Sequence, residues 1–282
     1  MNWYADKKVV ITGGSSGIGK ATAILLAKRD AHICLLGRDR GKLDRALEEV
    51  RSAAAVKGQR LSAVSCDVSD RLQLRESVPA VLNSLGGIDI LINSAGITYP
   101  AYIDQTPDTI WDSMIQVDYM GTVNAVRAFL PEFMRRKSGN IVNISSVLGY
   151  MGVFGYAAYG AAKFAVVGFS QCLRQDLLPY NITISVVYPP DTDTPQWHEE
   201  NKIKPPETRA LAGTIKVLPA EKVALAVLQG VAKGSFTIVP GLMNKLTHFL
   251  SRHAPCIVWM IVSGDLRKFW RKQSTDARPK IS

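Results

Sequence analysis

Short runs of β-branched and apolar residues alternate with longer amphipathic stretches along the first 240 residues. This alternation restricts the fold more than any other feature of the chain. The runs lie at 7–12 (KKVVIT), 32–37 (HICLLG), 60–65 (RLSAVS), 88–93 (IDILIN), 139–145 (GNIVNIS), 181–188 (NITISVVY) and 236–239 (FTIV). Helical periodicity fills 17–29, 41–57, 70–85, 107–137, 156–179 and 219–233. Several runs are nearly all apolar, as strands covered on both faces must be. The expectation is an α/β fold, a single doubly wound parallel sheet with helices on both faces. No linker, repeat or low-complexity segment interrupts it.

The first strand leads into the first helix through Thr12-Gly-Gly-Ser-Ser-Gly-Ile-Gly19. Glycines at 13, 17 and 19 allow a sharp turn and let a pyrophosphate approach the main chain, with the N–H groups that open the helix facing the anion. A strand before and a helix after are the context that a dinucleotide-binding, Rossmann-type turn requires. At the end of the second strand an acid would hold a ribose 2′-hydroxyl, whereas arginine accommodates a 2′-phosphate. The chain reads Leu36-Gly37-Arg38-Asp39-Arg40, then Lys42. Arg38 and Lys42 favour NADPH, and Asp39 keeps NADH open. Asp67, followed by Val68, ends the third strand and would accept from an adenine amino group. Asn93-Ser-Ala95-Gly96 ends the fourth, where small residues let adenosine pack on backbone.

Ser146 follows the fifth strand, and Tyr159-Gly-Ala-Ala-Lys163 opens the next helix. The i,i+4 spacing sets Tyr159 and Lys163 on one helix face. An adjacent ammonium is expected to lower the pKa of the phenol toward working pH. The phenol would then protonate a carbonyl oxygen as hydride reaches its carbon.

These motifs, TGGSSGIG (12–19), NSAG (93–96), NISS (143–146) and YGAAK (159–163), resemble the classical short-chain dehydrogenases/reductases from about residue 7 to 240. Within that family, Tyr188-Pro-Pro-Asp-Thr-Asp-Thr-Pro195, with Glu199-Glu-Asn201, Lys204-Pro205 and Glu207-Thr-Arg209, is similar to the 3-ketodihydrosphingosine reductases, whereas most other short-chain reductases carry Pro-Gly at the start of this loop. The resemblance implies NADPH-dependent reduction of the 3-keto group of a long-chain sphingoid base. It implies Ser146, Tyr159 and Lys163 as catalytic residues. It also implies cofactor contacts at Gly13, Ser15, Ser16, Gly17, Ile18, Gly19, Arg38, Lys42, Asp67, Val68, Asn93, Ala95, Gly96, Tyr159, Lys163, Pro189, Thr192 and Thr194, with Thr194 near the nicotinamide carboxamide. Asp118 stands where the family usually has Asn, and it adds a carboxylate to the catalytic neighbourhood of Lys163. A homo-oligomer, dimer or tetramer, is a further implication. A reductase of another lipid or steroid ketone, and a non-catalytic nucleotide-binding scaffold, stay open as alternatives.

The chain carries 34 Lys and Arg against 24 Asp and Glu. Residues 245–282 hold eight of the basic and two of the acidic side chains, a local surplus of six. The division expected is a reductase domain over 1–241, containing a substrate loop at 189–214, and a short basic, apolar and aromatic helical appendage over 242–282. Tryptophan and arginine beside apolar positions suit a helix at a membrane interface, so 245–272 is a candidate for peripheral membrane contact. A lid over the substrate pocket and a subunit contact are the other readings. No nucleic-acid module is recognisable. Cys34, Cys66, Cys172 and Cys256 are scattered without metal-ligand spacing, as in a reduced intracellular protein with no metal site. The N-terminus carries neither a secretory signal nor the hydrophobic anchor common in eukaryotic members. The longest apolar run, 254–262, is too short to span a bilayer. The expectation is a cytoplasmic protein in peripheral contact with a membrane, in which the sequons at Asn143 and Asn181 are chance matches.

Overall fold

The computed structural model describes residues 2–213 and 216–276. β1 (Lys8–Thr12) leads into α1 (Gly17–Ala27), β2 (His32–Gly37) into α2 (Arg40–Ser52), and β3 (Leu61–Ser65) into α3 (Arg71–Leu85). β4 (Ile90–Asn93) is followed by α4 (Asp108–Met114), a π-helical turn over Ile115–Met120, and α5 (Gly121–Arg136). β5 (Gly139–Ile144), α6 (Ala157–Asp176) and β6 (Ile182–Val187) come next, then β7 (Thr192–Asp193), α7 (Pro195–Ile203), α8 (Pro206–Ala212) and β8 (Leu218–Pro219). The chain continues through α9 (Ala220–Ala232), β9 (Thr237–Ile238), α10 (Leu242–His253) and α11 (Pro255–Asp276).

Seven strands form one parallel sheet in the order β3-β2-β1-β4-β5-β6-β9, and β7 pairs with β8 apart from it. Alternate residues of each strand supply two cores. Val9, Ile11, Ile33 and Leu35 pack with Leu26, Leu43 and Val227 from α1, α2 and α9. Val10, Cys34, Leu36 and Leu91 pack with Leu74, Phe129, Phe133 and Leu173 from α3, α5 and α6. Burial on both faces explains the near-continuous apolar runs. The winding reverses between β1 and β4, where Thr12 lies in register with Asn93, and a crevice opens there at the carboxyl ends of the strands.

Two segments differ from expectation, and a third, the helical appendage, takes a position over the cleft. The helix predicted over 107–137 is divided by the π-helical turn at Ile115–Met120. The loop expected at 189–214 contains β7, α7 and α8. Pro195 and Pro206 open the two helices, and Thr194 caps the first by accepting from the Trp197 N–H at 3.2 Å. The appendage is two helices that pack on the domain as a wall of its cleft. Asn244 of α10 donates to the Tyr188 carbonyl at 2.7 Å and accepts from the Tyr150 hydroxyl. Trp270 of α11 donates to buried Glu207 at 3.1 Å, which also accepts from Tyr102 at 2.9 Å. Arg278 and Lys280 of the basic cluster lie outside the described residues. Among the described residues no helix is long and apolar enough to cross a membrane, and no group of side chains has the makings of a metal site.

Candidate active site

A cavity of about 990 Å³ follows the crevice from the glycine-rich turn to α11, at the top of the range of about 300–1,000 Å³ usual for small-molecule sites. One end is lined by Gly13, Ser15, Ser16, Gly17, Ile18, Arg38, Lys42, Val68, Ala95 and Gly96. Ser146, Tyr159 and Lys163 stand in its middle, and Pro189, Thr192 and Thr194 line it from the loop after β6. The other end is apolar, walled by Met151, Leu211, Leu218, Leu242, Leu250, Val258 and Val262.

Four predicted residues lie behind this lining. Gly19 is a packing position, since a Cβ there would stand 2.4 Å from the Gly13 carbonyl oxygen. Asn93 is a strut: it donates to Asn143 at 2.8 Å, which donates to Ser170 at 2.8 Å. Asn143 is fully buried, so its sequon is out of reach of a glycan. Asp67 accepts from the main chain and hydroxyl of Ser69 at 2.9 and 2.7 Å, with Arg38 at 3.9 Å. Asp118 is buried beneath Lys163.

The nucleotide end fits a dinucleotide. Gly13 adopts φ +66°, and a Cβ there would press to 2.7 Å on the backbone of Ala95. Ser16, the N-cap of α1, makes no side-chain cap bond, and the first turn holds no acid, so its N–H groups are left for an anion. Asp39 instead caps α2, accepting from the Lys42 N–H at 2.9 Å, and that bond holds its carboxyl below the usual range. Thr194 sits across from this cradle, its methyl 3.2 Å from where a side chain on Gly17 would begin.

At the centre, Lys163 is 4% exposed and its Nζ lies 5.4 Å from the Tyr159 ring centroid. The same Nζ donates to the Ile144 carbonyl at 3.3 Å and pairs with Asp118 at 3.0 Å. The wider π turn presents Asp118 inward, opposite Gly96, where a Cβ would fall 2.6 Å from its Oδ1. π turns inserted in α-helices are frequent at functional sites. Burial pushes the Asp118 carboxyl up, against the pull of Lys163. Burial works to lower Lys163, yet the Asp118 carboxylate leaves it raised overall, so it stays an ammonium.

Tyr159 departs from the expected direction. Burial pushes its phenol up to about 12, with Asp118 and Glu200 adding to the rise, and Lys163 and the Ser146 hydroxyl only partly offset this. Lys163 spends part of its field on Asp118, a partner whose placement the motif spacing does not reveal. Sequence reasoning gave no site role to Tyr156 or Trp197, and it quoted Asp191 and Glu200 only within the substrate-loop stretch; all four are on the cavity wall. The i,i+4 pair Glu200 and Lys204 was the available signal.

The sequence profile of short chain dehydrogenases matches residues 7–204. The chain belongs to the short-chain dehydrogenase family. Family and fold together make it an oxidoreductase that uses a nicotinamide cofactor. A 3-dehydrosphinganine reductase of Danio rerio is 40% identical over 230 residues, covering 81% of this chain and 69% of the relative. A 3-ketodihydrosphingosine reductase of Dictyostelium discoideum is 36% identical over 259 residues, covering 87% and 78%. Among solved short-chain dehydrogenase folds, levodione reductase superposes with a TM-score of 0.76 at 26% identity, covering 84% of this chain and 96% of that one.

Proposed function

We propose that the chain reduces the 3-keto group of 3-ketosphinganine to the alcohol of sphinganine with NADPH, Tyr159 supplying the proton. The carrying observation is the composite cleft: a phosphate cradle at one end, Tyr159 and Ser146 at the middle, and an apolar end closed by α10 and α11. Names of relatives from two distant organisms support the substrate class. The nicotinamide, when bound, supplies hydride to the carbonyl carbon. Ser146 holds the carbonyl oxygen, and Tyr159 donates its proton to the alkoxide forming there. A phenol pushed up to about 12 is kept protonated at neutral pH, the form that a reductive step consumes. Lys163 favours the phenolate left behind. Turnover of 3-ketosphinganine, measured beside steroid ketones with NADPH and with NADH, tests the reading. Reduction of the steroids alone would reject it.

The preference for NADPH rests on Arg38 and Lys42 at the cleft, with Asp39 engaged as a helix cap. Charge-assisted hydrogen bonds are worth about 1.5–3 kcal/mol, so Arg38→Gln raises KM for NADPH about 10- to 100-fold. KM for NADH stays close to wild type. An equal rise for both cofactors would remove Arg38 from the 2′-phosphate site.

The outer face of α10 and α11 fits a peripheral membrane contact. Phe249 of α10 and Trp259 and Met260 of α11 are 56%, 68% and 64% exposed, while Val258 and Val262 of α11 line the cavity. Lys245, Arg252 and Lys268 stand among them, the mixture that suits an anionic bilayer surface. Trp259→Ser with Met260→Ser lowers co-sedimentation with phosphatidylserine liposomes and leaves NADPH binding intact. Unchanged sedimentation would return this face to solvent.

A further inference from the structure

The loop after β6 carries charge into the apolar half of the cleft. Asp191, Trp197 and Glu200 line the cavity. Lys204, 1% exposed at its side chain, places Nζ 2.7 Å from Glu200 Oε1 and 3.8 Å from Asp191 Oδ2. Its Nζ also stands 5.8 Å from the Trp197 ring. The Trp197 indole donates to Asp191 Oδ2 at 3.4 Å. The Tyr156 hydroxyl donates to Glu200 Oε1 at 3.0 Å, and the Tyr156 ring lies 6.1 Å from that of Tyr159.

Two carboxylates face one ammonium, so the cluster holds a unit of negative charge in excess. The other cation of this part of the wall, Lys216, is solvent-exposed. Lys204 and Tyr156 both spend their bonds on Glu200 Oε1, and the indole and Lys204 both address Asp191 Oδ2. Glu200 Oε2 and Asp191 Oδ1 accept no hydrogen bond from the described residues. Carboxylate charge at an apolar cleft is costly unless a cation meets it. Among the described residues, Lys204 is the cation paired with these two carboxylates.

We propose that Asp191 and Glu200 form the subsite for an ammonium carried on the carbon next to the reacting carbonyl, and that this subsite sets the preference for amino ketones. The inference rests on the substrate class proposed above and names the residues that read it. The Tyr156 ring lies 6.1 Å from that of Tyr159 and its hydroxyl reaches Glu200, so the carboxylates neighbour the point where Tyr159 would meet a carbonyl oxygen. Electrostatics agree with the placement: Glu200 is among the charges that raise the Tyr159 phenol. A cation bound between them would offset that field and make the alkoxide easier to form.

The test compares 3-ketosphinganine with 1-hydroxyoctadecan-3-one, which keeps the carbonyl, hydroxyl and chain but replaces the amine by hydrogen. Wild-type enzyme is expected to favour the amine by about 10- to 100-fold in kcat/KM, the range of a charge-assisted hydrogen bond. In Glu200→Gln, and independently in Asp191→Asn, that ratio falls toward 1, mostly through KM for the amine. NADPH affinity and melting temperature identify any variant that has lost its fold, and the other variant then carries the comparison. A wild-type ratio near 1, or a ratio untouched by both substitutions, overturns the ammonium subsite while leaving the reductase reading intact. Wild-type enzyme that binds NADPH and reduces neither ketone overturns the substrate class itself, and the subsite with it.

Discussion

In the reaction proposed above, Tyr159→Phe lowers turnover of 3-ketosphinganine by about 10²–10⁴-fold, the usual contribution of a positioned proton donor. The ring is retained, so its contacts with Tyr156 and Lys163 survive and only the hydroxyl is lost. NADPH affinity therefore stays near wild type, since the phosphate cradle lies elsewhere along the cleft. Loss confined to kcat is the signature of an interaction made in the transition state. Turnover within about threefold of wild type would move proton donation to another group, because it falls far short of a general-acid effect.

Lys163→Met is expected to damage stability and catalysis together, and a second substitution separates the two. Lys163 and Asp118 are 5% and 0% exposed at their side chains, 3.0 Å apart. Removing one partner of a buried pair costs about 3–5 kcal/mol, because the other charge is left alone. Asp118 limits that loss by taking a proton, which burial already favours. Lys163→Met combined with Asp118→Asn takes away the stranded charge and recovers most of the stability in urea unfolding. Turnover stays lost, because no ammonium remains to favour the phenolate. If the double variant is no more stable than the single one, the pair is not coupled. If the single variant turns over normally, Lys163 has no part in the chemistry.

The sheet was legible because its strands are buried on both faces, which forces runs such as ILIN over 90–93 to be wholly apolar. The cofactor turn was legible because glycine answers a steric demand at residue 13 that no other side chain meets. The contents of 189–214 were only partly legible. Pro195 and Pro206 mark helix starts, but pattern reading had no apolar stripe to extend from them. The π turn left no periodic signature, since one added residue shifts the helix phase without breaking the hydrophobic pattern. The direction of the Tyr159 shift was hidden for another reason. Spacing shows that Lys163 is near, whereas burial and the field of Asp118 depend on segments distant in sequence. The packing of the tail was hidden similarly: its composition describes the outward face, and its inward face is defined by Asn244 and Trp270 reaching partners far upstream.

Chain order gives the cleft a schedule of assembly. α10 and α11 follow every strand of the sheet, so during synthesis the nucleotide cradle is complete before its apolar neighbour has a cover. In that interval the wall that includes Met151 and Leu218 lacks the facing wall that Leu242, Leu250, Val258 and Val262 later supply. A nascent chain that has taken up a dinucleotide is already held together across the switch between β1 and β4. The closing of α10 through Asn244, and of α11 through Trp270, then converts an open half-groove into an enclosed one.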